Sequence, residues 1–391
     1  MLRLIRDRQE ALARKALFDR DLVVDHAFLR QTGKVAAIVG PRRAGKSMFL
    51  LQIARQLDLA PTSAVWIDFS ELPWSEFGTS DWETLWLAAL ELTPSPVFFL
   101  DEIQLLKDFE AGLRYLQNLG APLYITGSNS TFLQKHLATS LRGKVLVYPL
   151  WTLSFSEFLR FKHLPPHPRT SAEQATWNLS LEEFLTWGGF PEVVLADRED
   201  LKAHLLDSYI DTMLLRDVLE RHQVKNFLVL EKLFQKALLS FTKEFSVHRW
   251  YNDFRSQGYK VSKDTLYEYL AYFEESLFLH VVENAANPAA GKKIFLTDNG
   301  LYQRVKDRPD AGKLWENACY LHLARHAQVP PQFWRDDQGE LDFLTDRYLV
   351  QVREQEPLKA LALRFPHHKA QLWIHDANPE CLLLSPASPL A

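Results

Sequence analysis

The residues best suited to chemistry form a glycine-rich segment that ends in a lysine and a serine. Glycines let backbone N–H groups curl around phosphates, the lysine neutralises their charge, and the hydroxyl takes a Mg²⁺ position. The GxxxxGK[ST] pattern, which follows an apolar run and precedes a helical one, therefore predicts a site for ATP and Mg²⁺. Its eight residues are Gly40, Pro41, Arg42, Arg43, Ala44, Gly45, Lys46 and Ser47.

Two carboxylates follow a second apolar run. Val97 to Leu100 is followed directly by Asp101 and Glu102, where a buried strand would end. We expect Asp101 to help Ser47 hold Mg²⁺, with Asp101 acting through the water molecules around the ion. Glu102 would polarise the water that attacks the γ-phosphate. An acidic strand end can also be only a solvated edge, but the phosphate loop and the acidic pair support each other.

A cluster of small polar side chains ends a third predicted strand, in the segment ITGSNS at 125–130. In a parallel sheet this cluster would lie beside the acidic pair, so that Ser128 or Asn129 could contact the γ-phosphate. A plain polar turn is the alternative interpretation.

Hydrolysis also needs a cation for the developing charge, often an arginine from a neighbouring subunit. Arg142, Lys144 and Arg216 are the candidates, and each could equally be a surface charge or a helix-end partner.

The elements that must position these residues alternate between strands and helices. Apolar runs at 35–39, 64–69, 96–100, 123–125 and 145–148 are separated by helix-length segments, which predicts an α/β domain with a mainly parallel sheet. A Pro-rich joint at 163–169 precedes a helical block. We therefore predict an ATPase core at 1–165, a helical lid at 166–223, a further unit at 224–306 and a small α/β domain at 307–391.

The third block has a helix-turn-helix pattern. A helix around 248–255 and a turn at 257–258 precede a helix capped by Ser262, and two β runs could then form a wing tipped by paired lysines. The block holds 12 Lys and Arg against 9 Asp and Glu. This local positive charge favours binding of a polyanion, so Lys263, Lys292 and Lys293 are the predicted DNA contacts. The alternative is a unit with a structural role or one that contacts other subunits of an oligomer.

The last block has the order of acids found in endonuclease folds. Glu316 on a helix is followed by Glu340 and Asp342 on one strand, but Gln351 and Arg353 stand where an ExK strand would carry a glutamate and a lysine. Because a neutral amide and a planar guanidinium replace those two groups poorly, we predict a degenerate nuclease centre without cleavage activity.

Composition limits the function classes. The 391 residues are 47% hydrophobic and carry a net charge of −4, so the chain is a multidomain globular protein whose anionic partners would be held by a local patch. Its two cysteines cannot form a disulfide framework or a four-cysteine zinc site, which favours the cytoplasm. No run of about 18 apolar residues predicts a membrane span.

The motifs together resemble the prokaryotic AAA+ ATPases of the archaeal-ATPase type. The resemblance rests on GPRRAGKS, VFFLDEIQ, ITGSNS, the segment 141–158 and GGFPE at 188–192, and it runs over nearly the whole chain. It implies an AAA+ core, a winged helix and an endonuclease-related domain. It also implies a ring or helical homo-oligomer such as a hexamer. Lys144 departs from the family's usual arginine, so this position is a weak candidate for the trans-acting residue.

The sequence leaves three functions open. An oligomeric ATPase that engages DNA through its C-terminal half is the leading hypothesis. A signalling or scaffolding NTPase whose C-terminal domains bind protein is the main alternative, and an ATP-gated nuclease is the third.

Overall fold

The computed structural model describes residues 1–60, 63–128, 143–289, 291–305, 310–337, 339–352, 365, 367–373 and 381–382. The chain forms two compact units, Met1–Leu150 and Trp151–Ala391. In the part that is described, no helix is long and apolar enough to span a bilayer.

The first unit contains a five-stranded sheet whose strand order is β2-β3-β4-β1-β5, with every pair parallel. The predicted α/β class with a parallel sheet is therefore confirmed. Its elements are α1 (Leu2–Ala13), α2 (His26–Thr32), β1 (Val35–Val39), α3 (Lys46–Gln56), β2 (Ala64–Asp68), α4 (Asp81–Leu90), β3 (Val97–Asp101), α5 (Phe109–Asn118), β4 (Leu123–Gly127) and β5 (Val145–Pro149).

The sheet is buried on both faces, with one hydrophobic core on each side. Alternate residues of β1 enter two separate cores: Val35, Ala37 and Val39 pack in the core that includes α4 and α5, whereas Ala36 and Ile38 pack against α3. This two-sided burial explains why the strands are continuous apolar runs. The parallel order places the carboxyl ends of β3, β4 and β1 at one edge.

The second unit starts with helices and continues through two antiparallel-rich sheets. Its elements are α6 (Phe155–Phe161), α7 (Ser171–Trp187), α8 (Pro191–Val194), α9 (Glu199–Thr212), a π-helix (Met213–Glu220), α10 (Phe227–Ser240), β6 (Glu244–Phe245), α11 (Val247–Ser256), α12 (Lys263–Glu275), β7 (Leu279–Glu283), β8 (Lys292–Leu296), α13 (Ala311–His326), β9 (Gln332–Asp336), β10 (Gly339–Leu344), β11 (Tyr348–Gln351) and β12 (Lys369–Leu372).

The boundary between the units lies before the Pro-rich joint and not at it. Helix α6 precedes that joint, yet its Phe155 ring meets Trp177 at 5.1 Å and its Phe158 ring meets Phe184 at 5.5 Å. Aromatic packing onto α7 thus places α6 in the second unit, which the position of the prolines alone does not reveal.

Helices α10, α11 and α12 adjoin a three-stranded sheet in the order β6-β8-β7. The Ser262 side chain accepts a hydrogen bond from the Thr265 N–H at 3.0 Å, so the predicted N-cap of α12 is present. A second sheet, in the order β12-β11-β10-β9, follows α13. The two sheets are joined where the Asn284 side chain donates to the Arg335 carbonyl at 2.9 Å.

Candidate nucleotide site

The phosphate loop connects the end of β1 to the first residue of α3. Arg43 and Gly45 adopt left-handed φ angles of 68° and 93°, which fold the loop back over the helix N-terminus. Gly40 is required by a close approach, because a Cβ there would lie 1.9 Å from the Leu150 carbonyl oxygen. The predicted strand, loop and helix are therefore all present.

Lys46 is buried beneath this loop, with 4% of its surface exposed. Its ammonium donates to the carbonyls of Gly40 at 3.2 Å and Pro41 at 3.1 Å, and it lies 3.7 Å from a Glu102 carboxylate oxygen. These contacts hold the Lys46 ammonium between the loop and the acidic pair, where terminal phosphates would meet it.

Asp101 ends β3 and is 5% exposed. The Ser47 hydroxyl hydrogen-bonds to it, and the Thr126 hydroxyl donates to Oδ1. Burial, reinforced by the adjacent Glu102 carboxylate, raises the pKa of Asp101 to about 6 against these two hydrogen bonds. A hydroxyl and a carboxylate held together in this way are the hard oxygen donors that Mg²⁺ prefers, so the donor set fits the ion.

Glu102 leaves the strand with a left-handed φ of 52°. A non-glycine residue in this region is strained, and the Glu102 N–H, which donates to the Thr126 hydroxyl at 2.9 Å, holds the turn in place. Burial acts to raise the pKa of Glu102, but Lys46 and the hydrogen bond from Gln104 outweigh it and hold that pKa below its ordinary value. The carboxylate is thus kept ionised, as a general base must be.

The Ser128 hydroxyl lies next to the acidic pair because β4 adjoins β3 in the sheet. The Gln104 amide donates both to the Glu102 carboxylate and to Ser128 Oγ, the latter at 3.1 Å. Ser128 is 2% exposed, so its neighbours fix its orientation. Asn129, the other predicted γ-phosphate contact, lies outside the described residues.

Four residues of this site were not identified from the sequence. Thr126 and Gln104 bind the acidic pair directly. Arg20 donates to the Ala44 carbonyl of the phosphate loop at 2.8 Å, and its own backbone N–H and carbonyl bind the Gln52 amide at 2.9 and 3.1 Å. The position of Gln104, two residues after Glu102, was a signal that could have identified it. No sequence signal pointed to Arg20, because it lies far from the phosphate loop along the chain.

The candidate trans-acting cations have different surroundings. Arg142 lies outside the residues that the structure describes, and Lys144 is exposed at the start of β5. Arg216 is exposed on the π-helix of the second unit, where it lines a cavity of about 510 Å³ together with His204, Glu220 and Arg304. π-Helical turns are rare in proteins, and those that occur are often found at functional sites.

The predicted wing lysines need correction. Lys263 is exposed at the first turn of α12, but Lys293 is 4% exposed and its ammonium faces Glu316 and Glu340 at 3.5 and 3.1 Å. Lys292 pairs with Glu283 at 2.7 Å. Successive strand residues point to opposite faces, so two adjacent lysines cannot form one exposed tip. The prediction that Lys293 contacts DNA is therefore wrong.

The acids of the predicted nuclease centre lie around the ammonium of Lys293. Glu316 and Asp342 are 0% and 3% exposed, and Glu340 lies two residues before Asp342 on the same face of β10. Gln351, at 5% exposed, accepts a hydrogen bond from the Asp342 N–H at 3.3 Å. Arg353 lies beyond the described part of this segment.

Fold and site together define a P-loop protein of the AAA class. The model of the AAA domain family matches residues 32–159, and that of a domain of unknown function, DUF8612, matches residues 178–311.

Two curated relatives align over most of the chain. The uncharacterized protein MJ1544 of Methanocaldococcus jannaschii is 30% identical over 329 residues, which cover 82% of this chain and 74% of that protein. The chain therefore belongs to the same family as MJ1544. An uncharacterized protein of Haemophilus influenzae is 26% identical over 345 residues, which cover 84% of each chain.

Among solved structures, the Walker-type ATPase PABY2304 of Pyrococcus abyssi is similar at 14% identity. The TM-score is 0.44, and the similarity covers 76% of this chain and 99% of that one.

Proposed function

We propose that this protein is a Mg²⁺-dependent ATPase that hydrolyses ATP at the phosphate loop, assembles into a ring or helical homo-oligomer such as a hexamer, and engages DNA through its C-terminal half. The observation that carries the ATPase assignment is the 3.7 Å contact between Lys46 and Glu102, which brings a phosphate-neutralising cation and a candidate general base to one point.

Each residue of the site has a distinct part in the proposed reaction. The loop 40–47 binds the phosphates, and Lys46 neutralises the β and γ phosphates. Ser47 and Asp101 would hold Mg²⁺, which supplies charge neutralisation between the β and γ phosphates when it is bound. Glu102 takes a proton from the attacking water, while Gln104 and Ser128 orient its carboxylate.

Oligomerisation is proposed because the developing charge needs a further cation. Arg216 suits a role in trans, since it is exposed. Mixing subunits tests this: Lys46→Ala subunits cannot hydrolyse ATP but still present Arg216, so they should restore activity to inactive Arg216→Ala subunits. An inactive mixture, with both variants folded and assembled, would assign Arg216 to another role.

The proposed DNA contact lies at the start of α12 and in the segments around it. Lys225 and Lys260 are exposed and, with Ser262, line a cavity of about 600 Å³. Lys263 lies on the first turn of α12. These lysines favour phosphates without reading sequence.

The exposed face of α12 is less favourable to DNA. It presents Asp264 and Glu268, and Tyr267 beside them is 56% exposed. Negative charge repels the phosphate backbone, whereas an aromatic residue between acids suits a protein surface with basic and apolar groups. This face supports the alternative, an NTPase whose C-terminal domains bind protein.

Salt dependence separates the two functions. ATPase rate and DNA affinity should be measured against salt for the wild type, for the double variant Lys260→Ala/Lys263→Ala, and for Lys232→Ala, at an exposed position of α10, as the control. DNA binding predicts stimulation of the ATPase and a salt slope that becomes shallower by about two in the double variant only. Absence of both DNA binding and stimulation would favour a protein partner.

A further inference from the structure

The acidic cluster of the second unit contains a lysine from another sheet. Lys293 extends from β8 into the group formed by Glu316 on α13 and by Glu340 and Asp342 on β10. The Lys293 side chain is 5% exposed, and the Phe333 ring covers its ammonium at 5.1 Å. A cation of this chain is therefore enclosed where the carboxylates of the predicted nuclease centre meet.

The charges of the cluster keep this cation in place. Burial acts to lower the pKa of Lys293, but Glu316, Glu340 and Asp342 outweigh it and raise that pKa above its ordinary value. The side chain is therefore protonated at neutral pH. A buried ammonium with two carboxylates within 3.5 Å is compensated, whereas either charge left alone would be strongly destabilising.

With the Lys293 ammonium in place, the cluster does not offer a divalent metal enough free oxygens. Mg²⁺ and Mn²⁺ require several oxygens free to converge on one point. One Asp342 carboxylate oxygen accepts the Val352 N–H at 2.8 Å, and the Gln351 amide oxygen is directed to the Asp342 N–H. Among the described residues, no three His, Cys, Asp or Glu side chains are arranged to hold a metal ion.

We propose that the Lys293 ammonium is the resident cation of this cluster, and that it excludes divalent metal from the carboxylates of Glu316, Glu340 and Asp342. A divalent ion entering the cluster would have to displace the ammonium or stand beside it against like-charge repulsion. The centre is therefore closed to metal by a residue that precedes it in sequence, in addition to lacking the ExK glutamate and lysine. This inference does not depend on the proposed ATPase or DNA functions.

Mn²⁺ binding to the nucleotide-free, full-length protein tests the proposal. Bound ions can be counted by electron paramagnetic resonance for the wild type, for Lys293→Met and for Lys292→Met. Methionine keeps the apolar stem of the side chain and removes its charge, and Lys292→Met removes the adjacent lysine, which is outside the cluster. We expect Lys293→Met to bind one additional Mn²⁺, at least about tenfold more tightly than any weak site of the control, and Asp342→Asn in that background to remove it.

Two results would overturn the proposal. The first is a folded Lys293→Met protein, judged by circular dichroism, that gains no Mn²⁺. The second needs no lysine variant: wild-type protein that binds Mn²⁺ and loses that ion on Asp342→Asn would show that the metal enters with Lys293 in place.

Discussion

The Lys46 ammonium and the Glu102 carboxylate lie 3.7 Å apart, although 56 positions separate them in sequence. Lys46 begins α3 after β1, whereas Glu102 follows β3, and β4 lies between those two strands. The contact joins the group that would neutralise phosphate to the group that would activate water.

Replacing Lys46 with alanine should abolish ATP turnover, because the phosphates lose the point charge that the loop supplies. Steady-state phosphate release measures this. Lys107→Ala, at an exposed position of the same unit, is the control and should retain the wild-type rate. A folded Lys46→Ala protein that turned ATP over normally would remove the nucleotide site from this loop.

Glu102→Gln should separate binding from hydrolysis. The amide keeps the size of the side chain but cannot accept a proton, so ATP should still bind while the hydrolysis rate falls by roughly 10²- to 10⁴-fold. Nucleotide affinity and single-turnover hydrolysis should be measured on the same preparation. Loss of ATP binding in a folded variant would instead indicate a structural or metal-binding role for Glu102.

Gln104→Ala should slow hydrolysis by about tenfold with little change in ATP affinity, because the Glu102 carboxylate loses the neighbouring amide that orients it. The hydrogen bond from Gln104 also helps to lower the pKa of Glu102. Without it, the acidic limb of the pH–rate profile should shift to higher pH. Leu105→Ala, at a neighbouring exposed position, is the control. An unchanged pH profile would contradict the positioning role.

Asp298 should make the stability of the second unit depend on pH. Its side chain is 1% exposed and accepts the N–H groups of Gly189 and Gly300 at 2.8 and 2.9 Å. Burial nevertheless raises its pKa to about 6, from an ordinary value of 3.8. The folded state therefore binds this proton more tightly than the unfolded state, so its contribution to stability falls as pH rises from about 4 through 6.

The measurement compares denaturant unfolding of the wild type and Asp298→Asn at several pH values. Relative to the variant, the wild type should lose roughly 2 kcal/mol of unfolding free energy between pH 4 and pH 7. Asp197→Asn, at an exposed position, serves as the control and should follow the wild type. Parallel curves for the wild type and Asp298→Asn would show that Asp298 is not the group that titrates.

The sequence by itself determined the parallel α/β sheet and the location of the nucleotide site. Continuous apolar runs identify strands buried on both faces, and the phosphate loop is a local motif whose glycines, lysine and serine are adjacent in the chain. The acidic pair could be placed for the same reason, since a carboxylate after an apolar run marks a strand end. These are local signals, and the structure places all of them at one edge of the sheet.

Only the tertiary structure decided which distant groups complete each site. Arg20 reaches the phosphate loop from a segment without a motif, and Thr126 binds both acids because β4 lies beside β3. The identity of Lys293 indicated an exposed phosphate contact, yet the pleat of β8 and the packing of α13 and β10 bury it among carboxylates. Whether a charged side chain meets solvent or an opposite charge depends on which elements pack against its strand, and that is a property of the fold.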